Sequence, residues 1–224
     1  GSDSRKSLTL GLGAFTYARS SSDAEWATYV NVQYRPAPNV SVSVGPNLYK
    51  GRNPLQYVGA FADTMGGAPN TYNTHYVFAG LNQTELSAAI RLNWTYSPTL
   101  SLQLYAQPLI SANRFAYFHE LARGRSAAFT RYGRDNNSTI DFVDSTNSYV
   151  VDPDGAGGPA ETLSFGKRDF NFKSLRGNAV LRWEYMPGST LYFVWTQSRE
   201  DFEGVGDFQL GRSMSRMLRA PAEN

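Results

Sequence analysis

The feature that most limits how this chain can fold is period-two alternation, which places every second side chain on one face of an extended strand. Leu8, Leu10, Leu12 and Ala14 share a face opposite Thr9, Gly11 and Gly13. Trp26, Thr28, Val30, Val32 and Tyr34 alternate with Ala27, Tyr29, Asn31, Gln33 and Arg35, and Val40, Val42 and Val44 with Ser41, Ser43 and Gly45. The pattern returns in Leu86, Ala88, Ile90, Leu92, Trp94 and Tyr96, and again in Leu100, Leu102, Leu104 and Ala106. Leu175, Ala179, Leu181, Trp183 and Tyr185 repeat it, and Leu191, Phe193 and Trp195 follow after a turn. Two weaker stretches, residues 55–63 and 73–82, bring the expected total to about nine strands.

Three properties of these segments favour a membrane. Their length is close to the roughly 9–11 residues that a tilted strand needs to cross a bilayer, against about 5–6 for soluble strands. Trp26, Tyr34, Trp94, Tyr96, Trp183 and Tyr185 sit at the ends of apolar stripes, where an interfacial girdle puts such rings; Trp195 does not fit this placement. Connections are unequal. Pro36-Ala37-Pro38, Ser97-Pro98-Thr99 and Pro187-Gly188-Ser189 are short, whereas the stretch from residue 112 to 169 is long. Short periplasmic turns and long outer loops are the barrel pattern, and strand parity puts all three short turns, with residues 64–72, on one side.

The expected fold is therefore all-β: an antiparallel up-and-down transmembrane β-barrel of about nine or ten strands in a bacterial outer membrane. Residues 1–224 form one domain, with 112–169 as an extracellular insertion, residues 115–123 a candidate short helix, and the acidic run at 200–207 a loop. The alternative is a soluble β-barrel or sandwich with the same stripes turned inward, binding carbohydrate through Tyr and Trp. The absence of Cys excludes disulfides, thiolate catalysis and zinc–thiolate sites, and a net charge of +2 without a Lys/Arg block argues against nucleic acid. No apolar run is long enough for a membrane helix.

The run Tyr76-Val77-Phe78-Ala79-Gly80-Leu81-Asn82-Gln83-Thr84-Glu85-Leu86-Ser87 leads through Leu92-Asn93-Trp94-Thr95-Tyr96-Ser97-Pro98 to Leu102-Gln103-Leu104-Tyr105-Ala106-Gln107-Pro108. With Asp169-Phe170-Asn171-Phe172-Lys173-Ser174-Leu175-Arg176-Gly177-Asn178-Ala179 and Pro187-Gly188-Ser189-Thr190-Leu191, it resembles the C-terminal uncharacterised domain of large bacterial proteins with an N-terminal family 9 carbohydrate-binding-like module. The resemblance implies a non-catalytic outer-membrane barrel that anchors or presents a sugar-binding-like domain. That module is absent from this chain. The resemblance also implies one more strand after a segment like Gly211-Arg212-Ser213-Met214-Ser215-Arg216, so this chain is expected to be part of a barrel.

Candidate chemistry is sparse. His75 and His119 have no acidic pattern nearby in sequence and read as solvated or hydrogen-bonded residues, and no nucleophile motif is present, so neither an enzyme nor a cofactor is expected. Asp152-Pro153-Asp154-Gly155 reads as a turn, with calcium binding by Asp152 and Asp154 as the alternative. Arg114, Arg123, Arg125, Arg131 and Arg134, interleaved with Phe and Tyr, read either as an anion-favouring constriction or lipopolysaccharide-phosphate contact, or as an ordinary solvated loop. Arg91, Arg176, Arg182 and Glu184 oppose the Leu/Trp stripes and are expected to face the lumen as an ion-pair plug or a pore lining, with outer-membrane lipids as partners of the stripes.

Overall fold

The computed structural model describes residues 1–3, 5–20 and 23–223. Alternation is realised as β1 (Leu8–Ala18), β2 (Ala24–Ala37), β3 (Val40–Ala62), β4 (Thr74–Ser97) and β5 (Leu100–Leu121). There follow β6 (Phe129–Arg131), β7 (Thr139–Val143), β8 (Ser148–Asp152), β9 (Leu163–Gly166), β10 (Phe170–Met186), β11 (Ser189–Glu203), helix α1 (Leu210–Arg219) and β12 (Ala222–Glu223). The main antiparallel sheet has the order β1-β2-β3-β4-β5-β10-β11-β12, with β6 on the end of β5, and β7-β8-β9 form a small second sheet. Among the described residues β1 and β11 do not pair with each other, so the main sheet is open, and no helix is long and apolar enough to cross a membrane.

The nine expected strands are seven long ones. Residues 40–45 and 55–63 belong to the single strand β3, and 73–82 and 86–96 to β4. These two strands and β5 are 23, 24 and 22 residues long, about 75 Å each at roughly 3.3 Å per residue. The reason for the misreading lies in β4. From Thr74 to Thr95 the irregularities in its pairing fall on β3 and β5, so its side chains alternate without interruption. In the half nearer Ser97 the even residues Leu86, Ala88, Ile90, Leu92 and Trp94 are apolar; in the other half the odd residues Val77 and Ala79 are apolar and fully buried. The apolar side changes face on an unbroken strand, and a periodicity reading takes that change of phase for a loop.

Register extends the Trp94 half across the sheet. Leu12–Val30, Val32–Val44, Val44–Ile90, Leu92–Leu104, Leu104–Ala179 and Trp183–Leu191 are cross-strand neighbours, so every apolar stripe lands on one side, here the Leu/Trp face. Opposite it lies an Arg/Asn face carrying Asn31, Ser43, Arg91, Asn93, Gln103, Asn178, Arg176, Arg182 and Glu184. The last large apolar residues of the Leu/Trp face towards the loop end are Trp26, Leu48, Leu86, Ile110, Leu175 and Trp195 on successive strands. Trp26 is level with Thr84 through Lys50, and Trp195 is level with Leu92 through Ala179 and Leu104. The rim therefore slides eight residues along the strands while crossing from β2 to β11.

The short turns at Pro38–Asn39, Pro98–Thr99 and Pro187–Gly188 lie at one end, as expected, and Gly188 supplies the positive φ (79°) that the last requires. Residues 63–73 do not join them: with β3 and β4 continuous, they link these strands at the opposite end. Residues 112–121, expected in the insertion, extend β5 alongside the far half of β4, so the insertion is 122–169 and the helix expected at 115–123 is extended strand as far as Leu121 and a bend beyond it. Likewise residues 200–203 continue β11 rather than form a loop, paired with Asn171–Ser174 of β10.

The insertion folds back over the Arg/Asn side of the long strands. Phe118, Tyr132, Val151, Leu163 and Phe165 close on Val58, Val77 and Ala79, with Tyr149 packed against the Phe118 and Phe165 rings. On the other side, α1 lies over the loop half of β10 and β11, beyond the apolar stripe. Fully buried Lys173 meets Asp201 at 2.8 Å together with Glu203, and Arg216 and Arg212 of α1 reach the same two carboxylates. Arg199 closes the helix by donating to the carbonyls of Leu218 and Ala220.

Truncating Phe118 removes a ring at the centre of the insertion's core, and Phe118→Ala is expected to destabilise that storey by about 3–5 kcal/mol. Limited proteolysis should then cut within 122–169 while β1, β2 and β11 stay protected; equal loss of protection everywhere would show that the two storeys do not fold separately.

Candidate functional site

Beyond the rim of the Leu/Trp face, Arg52, Asn82 and Arg114 are direct register partners on β3, β4 and β5 and share that face. Here both outer strands carry bulges, on β3 between Asn53 and Gln56 and on β5 at Tyr117, whose φ is +57°. A bulge bends its strand. The bend opens a cleft of about 680 Å³ lined by Arg52, Arg114, Tyr117, His119, Arg131 and Arg134. The exposed Tyr117 ring lies beside Gly80, where a Cβ would meet the Ala116 carbonyl oxygen at a tight 3.2 Å. Arg131 is neutralised by a two-pronged contact with Asp135 (2.9 and 3.0 Å), which holds that carboxyl down at about 2. Among the described residues no carboxylate makes an ion pair with Arg52, Arg114 or Arg134.

Of the five arginines expected to act together, the cleft collects Arg114, Arg131 and Arg134. Arg123 and Arg125 lie outside it, in the β5–β6 connection, because the strand-like course of 113–121 carries them past the bend. Arg52 was missed. Its stretch separated two expected strands, and only the cross-strand register reveals its neighbour Arg114.

A second cluster lies beneath the insertion. His75 places Nε2 3.1 Å from Asp63 Oδ2 and Nδ1 against Glu120, which also accepts from the Tyr132 hydroxyl at 3.2 Å. Asp63 in turn accepts from the backbone N–H groups of Met65, Gly66, Gly67 and Glu161, tying the β3–β4 loop to the insertion. Burial opposes the charge on Asp63, but His75 and those N–H groups outweigh it and hold the carboxyl at about 2. Burial also opposes charging of His75, yet Glu120 and Asp63 raise its pKa above the ordinary value. Burial and Glu120 push the Tyr132 hydroxyl far up, so it stays a neutral donor. This buried acid–base chain corrects the reading of His75 as a residue without acidic company: its partners stand 12 and 45 positions away.

His119 is also buried, stacked on Phe78 with Nδ1 2.8 Å from the Tyr117 carbonyl. Asp152 and Asp154 do not converge on a cation. Asp152 accepts from Gly155 N and Asp154 from Ala160 N, as turn residues, and among the described residues no three His, Cys, Asp or Glu are arranged to hold a metal. Arg91, Arg176, Arg182 and Glu184 share the Arg/Asn face as expected: Arg91 lies over the Tyr105 ring (4.9 Å), Arg176 meets Glu200 (3.5 Å) and Arg182 meets Glu184 (3.2 Å). Tyr34, Trp94, Tyr96, Trp183 and Tyr185 gather at the short-turn end of the Leu/Trp face, and Trp26 stands at the opposite rim with Lys50 over its ring (5.8 Å). Trp195, out of place at mid-strand, lies over Gly177.

Fold and site together define an all-β protein: an antiparallel meander with one uncovered apolar face and a cationic cleft beside it. The profile of a family described as a domain of unknown function (DUF5916) matches residues 1–224, and the chain belongs to that family. No curated protein and no solved structure matches it.

The signs of the two shifts set a pH window for the buried cluster. His75, raised, contributes fully below its ordinary 6.5 and loses that contribution as pH climbs through its higher folded value. Asp63, lowered, contributes fully above its ordinary 3.8 and loses its share as pH falls towards about 2. Hydrogen exchange at the Met65, Gly66 and Gly67 amides should therefore be slowest, after correction for intrinsic rates, between pH 3.8 and 6.5. His75→Asn should flatten the alkaline limb; an unchanged limb would remove His75 from the account.

Proposed function

We propose that this chain forms part of the wall of a bacterial outer-membrane β-barrel, with the Leu/Trp face towards lipid, and that it acts as a non-catalytic anchor. What supports the reading best is the slope of the apolar rim. Sliding eight residues over the five steps from β2 to β11 is about 26 Å along the strands for about 24 Å across them. A level apolar band would then be crossed by strands tilted at about 45°, the tilt of membrane barrels. The height agrees too: the nine residues from 86 to 94 of β4 span about 30 Å along the strand, or a little over 20 Å at that tilt, close to a roughly 25 Å apolar band.

Among the described residues no element packs over this face on the short-turn side of α1: Phe193 is 56% exposed and Trp195 50%. Such an uncovered surface is costly in water and is stabilised by hydrocarbon. The reading requires partners for the free edges of β1 and β11, because unpaired backbone groups in lipid each cost several kcal/mol. On the Arg/Asn side, the charges are paired or stacked and the insertion lies over the loop half, which favours a plugged, capped lumen over an open pore. An anchor of this kind suits the role of presenting a sugar-binding-like domain.

Two substitutions on adjacent residues of β4 test the orientation. Ile90→Arg is expected to lower folding stability in lipid vesicles by about 2–4 kcal/mol, while Arg91→Ala on the opposite face changes it far less. The wild-type chain should need detergent and migrate on gels in a heat-dependent way. Monodisperse behaviour of the wild type in plain buffer would favour instead a soluble β-domain whose stripes pack together, and there Ile90→Arg would unfold the chain in water.

A passive pore is the reading against which the anchor is measured in planar bilayers. Silence, or brief events indifferent to Arg114→Ala, is expected of a capped wall; steady conductance altered by that substitution would overturn the anchor.

A further inference from the structure

We propose that the cleft of Arg52, Arg114 and Arg134 seats the phosphorylated headgroup of a membrane lipid whose acyl chains lie along the Leu/Trp face. The inference rests on the membrane reading above and deepens it by naming a partner. Its first support is position. Arg52 and Arg114 share the Leu/Trp face and flank Asn82 in one row, two strands and about 10 Å apart. That row stands four residues beyond Leu48, Leu86 and Ile110, the last large apolar residues on the same strands. Four residues are about 13 Å along a strand and roughly 9 Å in height at the tilt inferred above. The headgroup layer extends about 5–8 Å beyond the hydrocarbon, and an arginine side chain reaches down over the difference.

Charge is the second support. The arginines on the opposite face are paired or lie over a ring, as Arg176 with Glu200, Arg182 with Glu184 and Arg91 with Tyr105. Within the cleft Arg131 has Asp135, whereas Arg52, Arg114 and Arg134 have no ion-pair partner among the described residues. Unneutralised guanidinium groups are thus collected at the rim of the apolar band. A fork of planar donors matches phosphate oxygens in two-pronged geometry, which favours a net-anionic phosphate headgroup over a zwitterionic one whose phosphate is balanced by its own cation. Tyr117, at the positive-φ bulge of β5, sets an exposed ring beside the same row, where an amphipathic aromatic is at home.

The third support is what lies on the same face nearer the short turns. An apolar groove of about 300 Å³ runs between Ile90, Leu92, Leu104, Ala106, Leu175 and Trp195. Gly177 also lines it, with the Trp195 ring at ordinary van der Waals distance. A molecule with phosphate at one end and acyl chains at the other matches the cleft and the groove together; a free anion would use only the cleft.

The test uses the full chain in mixed vesicles of phosphatidylcholine and a bis-phosphorylated glycolipid, reading the lipid retained by native mass spectrometry after mild extraction. Wild type is expected to retain the anionic bis-phosphorylated glycolipid preferentially over phosphatidylcholine, and R52Q/R114Q/R134Q to lower that preference by about tenfold or more. The charge-matched variant R123Q/R125Q/R176Q, whose arginines lie outside the cleft, is expected to keep it. Equal loss in both triple variants would reduce the effect to net charge and overturn the site, as would full retention by the first. Inorganic diphosphate should not displace the lipid; ready displacement would make the cleft a free-anion site and overturn the lipid assignment. A wild-type chain that fails to enter phosphatidylcholine vesicles sinks the membrane reading itself, whereas entry without lipid preference sinks only this inference.

Discussion

The rest of the structure depends on one constraint: β4 is a single unbroken strand whose apolar side changes face at the level of Thr84 and Glu85. An extended strand cannot rotate its side chains, so the change must be met by different surroundings on either side of it. Towards the short turns, Leu86, Ile90, Leu92 and Trp94 look out on a face that no other element covers. Towards the loops, Val77 and Ala79 look the other way and are sealed by Phe118, Leu163 and Phe165. The insertion 122–169 occupies the place that the buried face of the far half demands.

The ionic clusters sit where this two-storey plan needs polar groups held. The chain from Asp63 through His75 and Glu120 to Tyr132 ties the β3–β4 loop, the end of β5 and the insertion together in a region where water is excluded. On the other side, Lys173 with Asp201 and Glu203 fixes α1 just past the end of the apolar stripe. A buried ammonium persists there because two carboxylates face it and a backbone carbonyl, that of Asn171, accepts another of its protons. The three unpaired arginines stand apart from both clusters, at the one level of the sheet where bulges on β3 and β5 open a cleft.

Much of the sheet was legible because alternation is local. The stripes, the short turns at Pro38, Pro98 and Pro187, and the common side of Arg91, Arg176, Arg182 and Glu184 can be read residue by residue. The strand count was not, since β3 and β4 each contain a phase break that mimics a loop. The extension of β5 through residues 113–121 was hidden for a related reason: its bulge at Tyr117 scrambles the alternation. Helix α1 escaped notice although Leu210, Met214, Met217 and Leu218 stand at helical spacing, because its ten residues are short and Gln209 gives it no capping side chain to mark its start.

The amino-acid order alone determined that the chain forms antiparallel strands with one apolar and one polar edge, because side-chain direction in a strand follows from position within it. It also determined that cysteine chemistry is excluded. Which of those strands run on into one another, which distant arginines become neighbours, and that His75 has carboxylates on both ring nitrogens were decided by the tertiary structure. Cross-strand register, bulge placement and the covering of a face are relations between segments far apart in sequence, and no local pattern carries them.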